Sequence, residues 1–383
     1  VKMATSSTNA GRDYFTTFDP SNKKFAQVFS DGRVSIHDVA TSKLLLEMRH
    51  SHHLEHRPTC VSWANSFENQ KNSTTPQRKR KRAKANNENA SRIFVGASTG
   101  AILIFDPIKG EVINTIRTAH KSAVRSIVIS NDGKKMYSGG SDKSVVEWNV
   151  NDCKEARSWV ASESSVTALA VDSRDQVIAT ASNAITLWSL ASLDKLVVLA
   201  GHASVTKLLS FAANDAFLLS ASTGRHVHVW NVAKFRQAES GSDNEDDEAM
   251  NGNEGVGAVV YAADAPPRAL LLPATSGARD RAFLFGVIDT HGAAQLYQHK
   301  TKSRKPPSTQ PVSRVVPAEG DSALLAGRVV LDSNTDATLL LAAGPNTRPC
   351  FHSAVLQAPP ARRLTARLTL PRTATPADAQ QSG

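Results

Sequence analysis

Ser138 to Val150 reads SGGSDKSVVEWNV, and this stretch decides the fold. Two short β-strands flank a polar turn, and the second ends in a Trp-Asn pair. It is one unit of a repeat. SDGRVSIHDV ends at Val39, STGAILIFDP at Pro107, SNAITLWSL at Leu190, STGRHVHVWNV at Val232 and THGAAQLYQH at His299. Each counterpart is a short polar turn followed by a β-rich run that reaches an aromatic residue or a histidine.

The spacing of those end residues identifies the repeat. From Phe105 to Trp148, Trp188 and Trp230 the steps are 43, 40 and 42 residues. A blade of a WD-type β-propeller takes about 40 to 45. The steps from His37 to Phe105 and from Trp230 to Tyr297 are longer, at 68 and 67 residues. Each holds one blade plus roughly 25 further residues. That surplus is SFENQKNSTTPQRKRKRAKANNENAS after Asn65 and AKFRQAESGSDNEDDEAMNGNEGV after Val232. Neither can bury apolar surface, so each is expected to be a disordered loop. The expected architecture is all-β: a seven-bladed WD-repeat β-propeller over 13–357, with a basic loop at 66–91 and an acidic loop at 236–255. A Pro/Ala/Arg-rich tail follows over 358–383, in which ARLTLP is one candidate for a closing strand.

Composition narrows the setting. Cys60, Cys153 and Cys350 are odd in number and far apart, which fits neither a disulfide framework nor a zinc pattern and implies a reducing compartment. No signal peptide and no membrane-length apolar run are read, so a nuclear or cytosolic protein is expected. The net charge of +10 is unevenly placed. A basic run holds Arg78, Lys79, Arg80, Lys81, Arg82 and Lys84, and a second basic patch spans Lys300 to Arg314. Against them stands an acidic run from Glu239 to Glu254. In an antiparallel meander all three segments join strands at the same face of the disc.

Four residues of the third blade stand where WD repeats place a hydrogen-bonded set: His120 in a loop, Ser138 on the second strand, Asp142 in the turn and Trp148 on the third strand. Their chemistry is structural, because a buried imidazole needs an acceptor for its N–H. The fifth blade keeps His202, Ser220 and Trp230 but has Thr-Gly-Arg where the aspartate would stand; the fourth has no loop histidine. The Arg78–Lys84 run reads as a nuclear localisation signal, an RNA-backbone contact or a solvated loop. Ser240 and Ser242 precede acids in a pattern that acidophilic kinases accept, beside the plain reading of a solubilising loop. His50, His52, His53 and His56 lack the spacing and partners of a metal site, and one of them is expected to take the loop role of His120. No phosphate loop, nucleophile elbow or paired-carboxylate arrangement is present in the sequence, so neither catalysis nor a cofactor is expected.

GASTGAILIFDPIKGEV, YSGGSDKSVVEWNVNDCK, ATASNAITLWSL and LAGHASVTKLLSF, together with PQRKRKR shortly after the TCVSWA strand, resemble the propeller of the fifth U3-associated protein family. Its members are WD-repeat subunits of UtpA, the transcription-linked early module of the small-subunit processome. The similarity runs from about Asp13 to Val232 and weakens beyond. It implies a nucleolar, non-enzymatic scaffold in early 18S rRNA maturation. Its partners would be the other UtpA subunits, processome proteins and the 5′ external transcribed spacer of pre-rRNA, with no membrane and no small-molecule substrate. The family's C-terminal helical domain has no counterpart in RRLTARLTLPRTATPADAQQSG, so assembly through that domain is not carried over. The rival reading is a substrate receptor of a ubiquitin ligase. Such receptors often carry Trp-Asp-x-Arg where this chain has Trp148-Asn149-Val150-Asn151 and Trp230-Asn231-Val232-Ala233.

Overall fold

The computed structural model describes residues 14–49, 56–65, 91–212, 215–233, 235, 258–271, 282–300, 310–311, 313–315, 324–331, 337–343 and 350–356. Seven antiparallel sheets follow one another in chain order. The first holds β1 (Tyr14–Phe18), β2 (Lys24–Phe29), β3 (Arg33–Asp38) and β4 (Leu44–Arg49). The second holds β5 (Pro58–Asn65), β6 (Ser91–Ala97), β7 (Ile102–Asp106) and β8 (Glu111–Ile116). The third holds β9 (Val124–Ile129), β10 (Lys135–Gly140), β11 (Ser144–Asn149) and β12 (Glu155–Val160). The fourth holds β13 (Ala168–Val171), β14 (Val177–Ala181), β15 (Ile185–Ser189) and β16 (Lys195–Leu199). The fifth holds β17 (Thr206–Ala212), β18 (Phe217–Ser222), β19 (His226–Asn231) and β20 (Ala258–Ala262). The sixth holds β21 (Pro267–Leu271), β22 (Ala282–Asp289), β23 (Ala294–Lys300) and β24 (Ser313–Val315). Among the described residues the seventh holds β25 (Leu324–Leu331), β26 (Ala337–Ala343) and β27 (Cys350–Leu356).

The first strands of the sheets touch in sequence, β1 to β5, β9, β13, β17, β21 and β25, and β25 touches β1 again. The ring is closed, and the protein is a seven-bladed β-propeller. No α-helix occurs among the described residues.

Burial follows strand order within each blade. In the third blade, β10 and β11 are buried along most of their length, whereas β12 is mostly exposed. Because successive side chains of a strand point to opposite faces, each middle strand packs on two neighbours at once. Ser138, Val146 and Trp148 face the second blade, where Trp148 and Val146 pack with Phe94, Ile102 and Ile104. Tyr137 and Val145 face the fourth blade and pack with Leu169, Ile178 and Trp188. The core is thus a series of layers between blades, as expected where each repeat buries its faces only against its neighbours.

The meander sorts the connections into two ends. We call front the end carrying the turns between second and third strands and the links between blades; the back carries the others. Polar turn side chains couple the blades at the back. Asn131 donates to the Asp172 carbonyl at 2.7 Å and its N–H to Asp175 at 2.8 Å, and the N–H of Ser173 donates to Asp215 at 2.9 Å. Asp175 and Asp215 both have left-handed backbones, with φ of 57° and 65°. Glu147 is buried at 4% side-chain exposure, yet doubly paired, with Lys135 Nζ at 2.9 Å and Arg157 Nε at 3.0 Å. Losing either partner would leave a buried carboxylate under-compensated.

Candidate functional site

The most developed polar cluster lies at the front of the third blade. Antiparallel pairing sets Ser138 opposite Val146 and Met136 opposite Trp148, which brings the indole and the hydroxyl onto one face. Trp148 Nε1 donates to Ser138 Oγ at 2.8 Å, and that oxygen lies 2.8 Å from His120 Nε2. His120 Nδ1 in turn lies 3.0 Å from Asp142 Oδ1. With the imidazole neutral, every donor meets an acceptor: indole to hydroxyl, hydroxyl to Nε2, and Nδ1–H to carboxylate. Asp142 also accepts from Ser144 Oγ at 2.7 Å and from the Lys121 N–H at 2.8 Å. Burial raises its carboxyl, but the bonds from Ser144, Lys121 and His120 outweigh that and hold it below the usual carboxylate value. The structure therefore brings His120, Ser138, Asp142 and Trp148 together.

Replacing Asp142 with alanine should leave Nδ1 of the buried His120 only Ser144 Oγ, at 3.2 Å, strip the Lys121 N–H of its acceptor, and cost about 1 to 3 kcal/mol. An unchanged urea-unfolding midpoint for that variant would exclude a structural role for the set.

The fifth blade holds the same set with one member missing. Trp230 Nε1 donates to Ser220 Oγ at 2.8 Å, and His202 Nε2 lies 2.6 Å from that oxygen. Four residues after Ser220, where the third blade has Asp142, stands Gly224. His202 Nδ1 is buried with no hydrogen-bond partner. Its ring stacks instead on His228, with centroids 3.8 Å apart. Desolvation, then the neighbouring His228 and His226, push His202 down to about 4. A Cβ at Gly224 would meet only hydroxyl oxygens, Ser204 Oγ at 3.2 Å and Ser222 Oγ at 3.5 Å. Gly224→Asp should therefore restore the acceptor and stabilise the protein by about 1 kcal/mol. NMR titration of His202 should then give a higher pKa, and a value still near 4 would show that the carboxylate does not reach the ring.

The fourth, second and first blades keep the position but change the chemistry. In the fourth, Trp188 Nε1 donates to Thr180 Oγ1 at 3.0 Å. In the second, Phe105 fills the tryptophan position, and His56 Nδ1 lies 2.8 Å from Thr99 Oγ1. Thr99 occupies the turn position of Asp142 and Val95 that of Ser138, so the half-exposed His56 makes only the turn contact of the loop role expected of one of the four clustered histidines. In the first blade His37 takes the tryptophan position, buried, and desolvation lowers its pKa despite Glu47 nearby.

Among the described residues no group of three or more His, Cys, Asp or Glu side chains could hold a metal ion. Cys60 and Cys153 are free thiols, and burial pushes Cys60 up to about 12. Arg78, Lys79, Arg80, Lys81, Arg82, Lys84, Ser240, Ser242, His50, His52, His53 and the tail 358–383 lie outside the described residues. The flanking strands β5 and β6, β19 and β20, and β23 and β24 attach the three charged segments at the back. Ser91, expected within the basic loop, belongs to β6. Sequence reasoning missed the aspartates that lock neighbouring back turns, whose signal is the Asn/Ser and Asp content of those turns about 42 residues apart.

Two segments, 110–149 and 193–231, match the family model of the WD domain, G-beta repeat. They contain His120, Ser138 and Trp148 in one case and His202, Ser220 and Trp230 in the other. The chain is 30% identical over 241 residues to WD repeat-containing protein 43 of Homo sapiens, covering 58% of this chain and 35% of that protein. Over 57 residues it is 32% identical to U3 small nucleolar RNA-associated protein 12 of Saccharomyces cerevisiae, covering 15% of this chain and 6% of that protein. It is also 27% identical over 138 residues to cilia- and flagella-associated protein 52 of Mus musculus, covering 35% of this chain and 22% of that protein. The chain therefore spans about a third of the length of the first of these relatives and less of the others.

Proposed function

We propose that this chain is a non-enzymatic scaffold of the small-subunit processome, working in the nucleolus in ribosome biogenesis. More finely, it assembles with other UtpA subunits on the 5′ external transcribed spacer of pre-rRNA in early 18S rRNA maturation, in step with rDNA transcription. The observation that carries this reading is a WD-repeat propeller with similarity to a protein whose name ties it to U3 small nucleolar RNA. The longer similarity to WD repeat-containing protein 43 supports a shared propeller framework. A rigid ring of layered sheets suits a scaffold, since it holds its loops in fixed directions while its polar networks secure the blades.

In this reading Arg78, Lys79, Arg80, Lys81, Arg82 and Lys84 serve nuclear entry, RNA contact or both, and Ser240 and Ser242 accept phosphate. If the six cations each neutralise one phosphate of single-stranded RNA, replacing them with serine should flatten the slope of log affinity against log salt by about 4. Affinity purification of the full chain from nuclear extract should recover processome proteins and pre-rRNA. Recovery of cullin adaptors instead would overturn the reading in favour of a ubiquitin-ligase receptor.

A further inference from the structure

Five of the seven inner strands share an irregularity at the front of the ring. In β9, Val124 pairs with Gly140 and Ser126 with Gly139, so Arg125 is bulged out of register. The same slip falls on Thr59 in β5, Lys207 in β17 and Arg268 in β21, and between Leu324 and Ala326 in β25. A bulge re-aims the side chain it carries, and bulges gather at rims and functional sites. Here the re-aimed residues fall into two kinds. Thr59 Oγ1 donates to the Val124 carbonyl of the next inner strand at 2.5 Å, and the unbulged Thr167, just ahead of β13, makes the same bond to Thr206 at 2.5 Å. Arg125, Lys207 and Arg268 put cations at that point in the third, fifth and sixth blades. Arg125 and Lys207 are exposed and Arg268 is half-buried.

Among the described residues around them, cations outnumber acids. Arg57 and Arg225 are exposed in front links and turns, as are Lys121 and Lys143. Of the nearby acids, Asp142 is engaged with His120 and Ser144, Asp31 with Arg33, and Asp264 with Arg314 at 3.0 Å, while Glu163 is exposed in the link ahead of β13. Among the described residues no Phe, Tyr or Trp side chain is exposed, and Val160 and Val205 are the exposed large apolar residues at the front. A docked peptide draws its affinity from buried aromatic and apolar anchors, whereas a polyphosphate draws it from Lys, Arg and backbone N–H groups.

We propose that the front mouth of the ring, centred on the bulged Arg125, Lys207 and Arg268, is a contact surface for the phosphate backbone of single-stranded RNA. This deepens the scaffold reading and rests on it for the choice of RNA over an acidic polypeptide. It also places a nucleic-acid contact at the opposite end of the ring from the attachment of the basic loop.

The test is fluorescence anisotropy with the purified full chain and a labelled oligouridylate of about 20 nucleotides, titrated across salt. The triple variant Arg125→Gln, Lys207→Gln, Arg268→Gln should bind at least about tenfold more weakly near 100 mM salt. Its log–log slope should be smaller by about 2, at about 0.7 per phosphate lost. A folded triple variant with unaltered affinity and slope would overturn the proposal. Should that variant melt early, Arg57→Glu with Arg225→Glu should weaken binding in its place, and wild-type affinity there would overturn it equally. Poly-glutamate that displaces the oligouridylate at equal charge concentration would reassign the mouth to acidic polypeptides. The purified chain is used alone, so this result is independent of whether processome proteins are recovered from extract.

Discussion

Gly100→Ala is expected to destabilise the protein by about 2 to 5 kcal/mol, because among the described glycines its Cβ would make the shortest clash. Gly100 lies in the front turn of the second blade with φ at 87°, where an L side chain costs about 1 to 2 kcal/mol. A Cβ there would also run into the carbonyl oxygen of His120 and sit 2.9 Å from that of Ser122. Both atoms are backbone, so the link ahead of β9 must move bodily, which adds about 1 to 3 kcal/mol of overpacking. The same turn accepts the His120 N–H at the Gly100 carbonyl, at 3.0 Å. Displacing it therefore disturbs the site that holds His120 against Ser138 and Asp142. Urea unfolding should show a lower midpoint with an unchanged slope, and a variant within about 0.5 kcal/mol of wild type would contradict this account of the turn.

Acid should be the second large perturbation. His299 is 5% exposed, and desolvation pushes it down to about 4, as it does His202; His37 and His228 are lowered by the same cause. A histidine whose folded pKa is depressed binds its proton more readily in the unfolded chain. Its stabilising contribution is complete above pH about 6.5 and is lost as pH falls from there through about 4. At 1.36 kcal/mol per pKa unit, His299 forfeits on the order of 3 kcal/mol by pH 4, and the more accessible His202 forfeits less. His299 packs against Phe217 and Phe283, with centroids 5.0 and 5.1 Å away, and shares a 2.8 Å hydrogen bond with the Tyr261 hydroxyl. His299→Phe should keep the aromatic packing. It should lower stability by about 1 to 3 kcal/mol above pH 6.5 through the unpartnered tyrosine, and flatten the fall between pH 6.5 and 4, so that the deficit shrinks or reverses by pH 4. A pH profile parallel to wild type would remove His299 from the explanation.

These predictions mark where the amino-acid sequence is readable and where it is not. The blades are legible because the end residues of their third strands recur at a nearly fixed step and the strand alternation is local. His120, Ser138, Asp142 and Trp148 are legible for the same reason: all four fall within one repeat, at offsets set by a single hairpin and its preceding loop. Ser173 and Asp215 stand about one repeat apart, and nothing in either turn names the other until the ring sets neighbouring back turns side by side. The bulges at Arg125, Lys207 and Arg268 are hidden for another reason, since a one-residue slip depends on pairing register, which composition does not encode. The stacking of His202 on His228 follows from the pairing of Ser220 with His228, which puts a ring where the third blade has Val146.

The contact between β1 and β25 joins strands separated by roughly 300 residues of chain. Every other contact in the inner ring links consecutive repeats, so it can form soon after the second of the two is made. The last one cannot. Contacts of such long sequence separation are slow to form, because the closure entropy must be met before any packing rewards it. During synthesis the first blade therefore waits with one face uncovered until the seventh exists. This open-ring intermediate, with unpaired apolar surface at both its ends, is the species on which chaperones or premature partners would act.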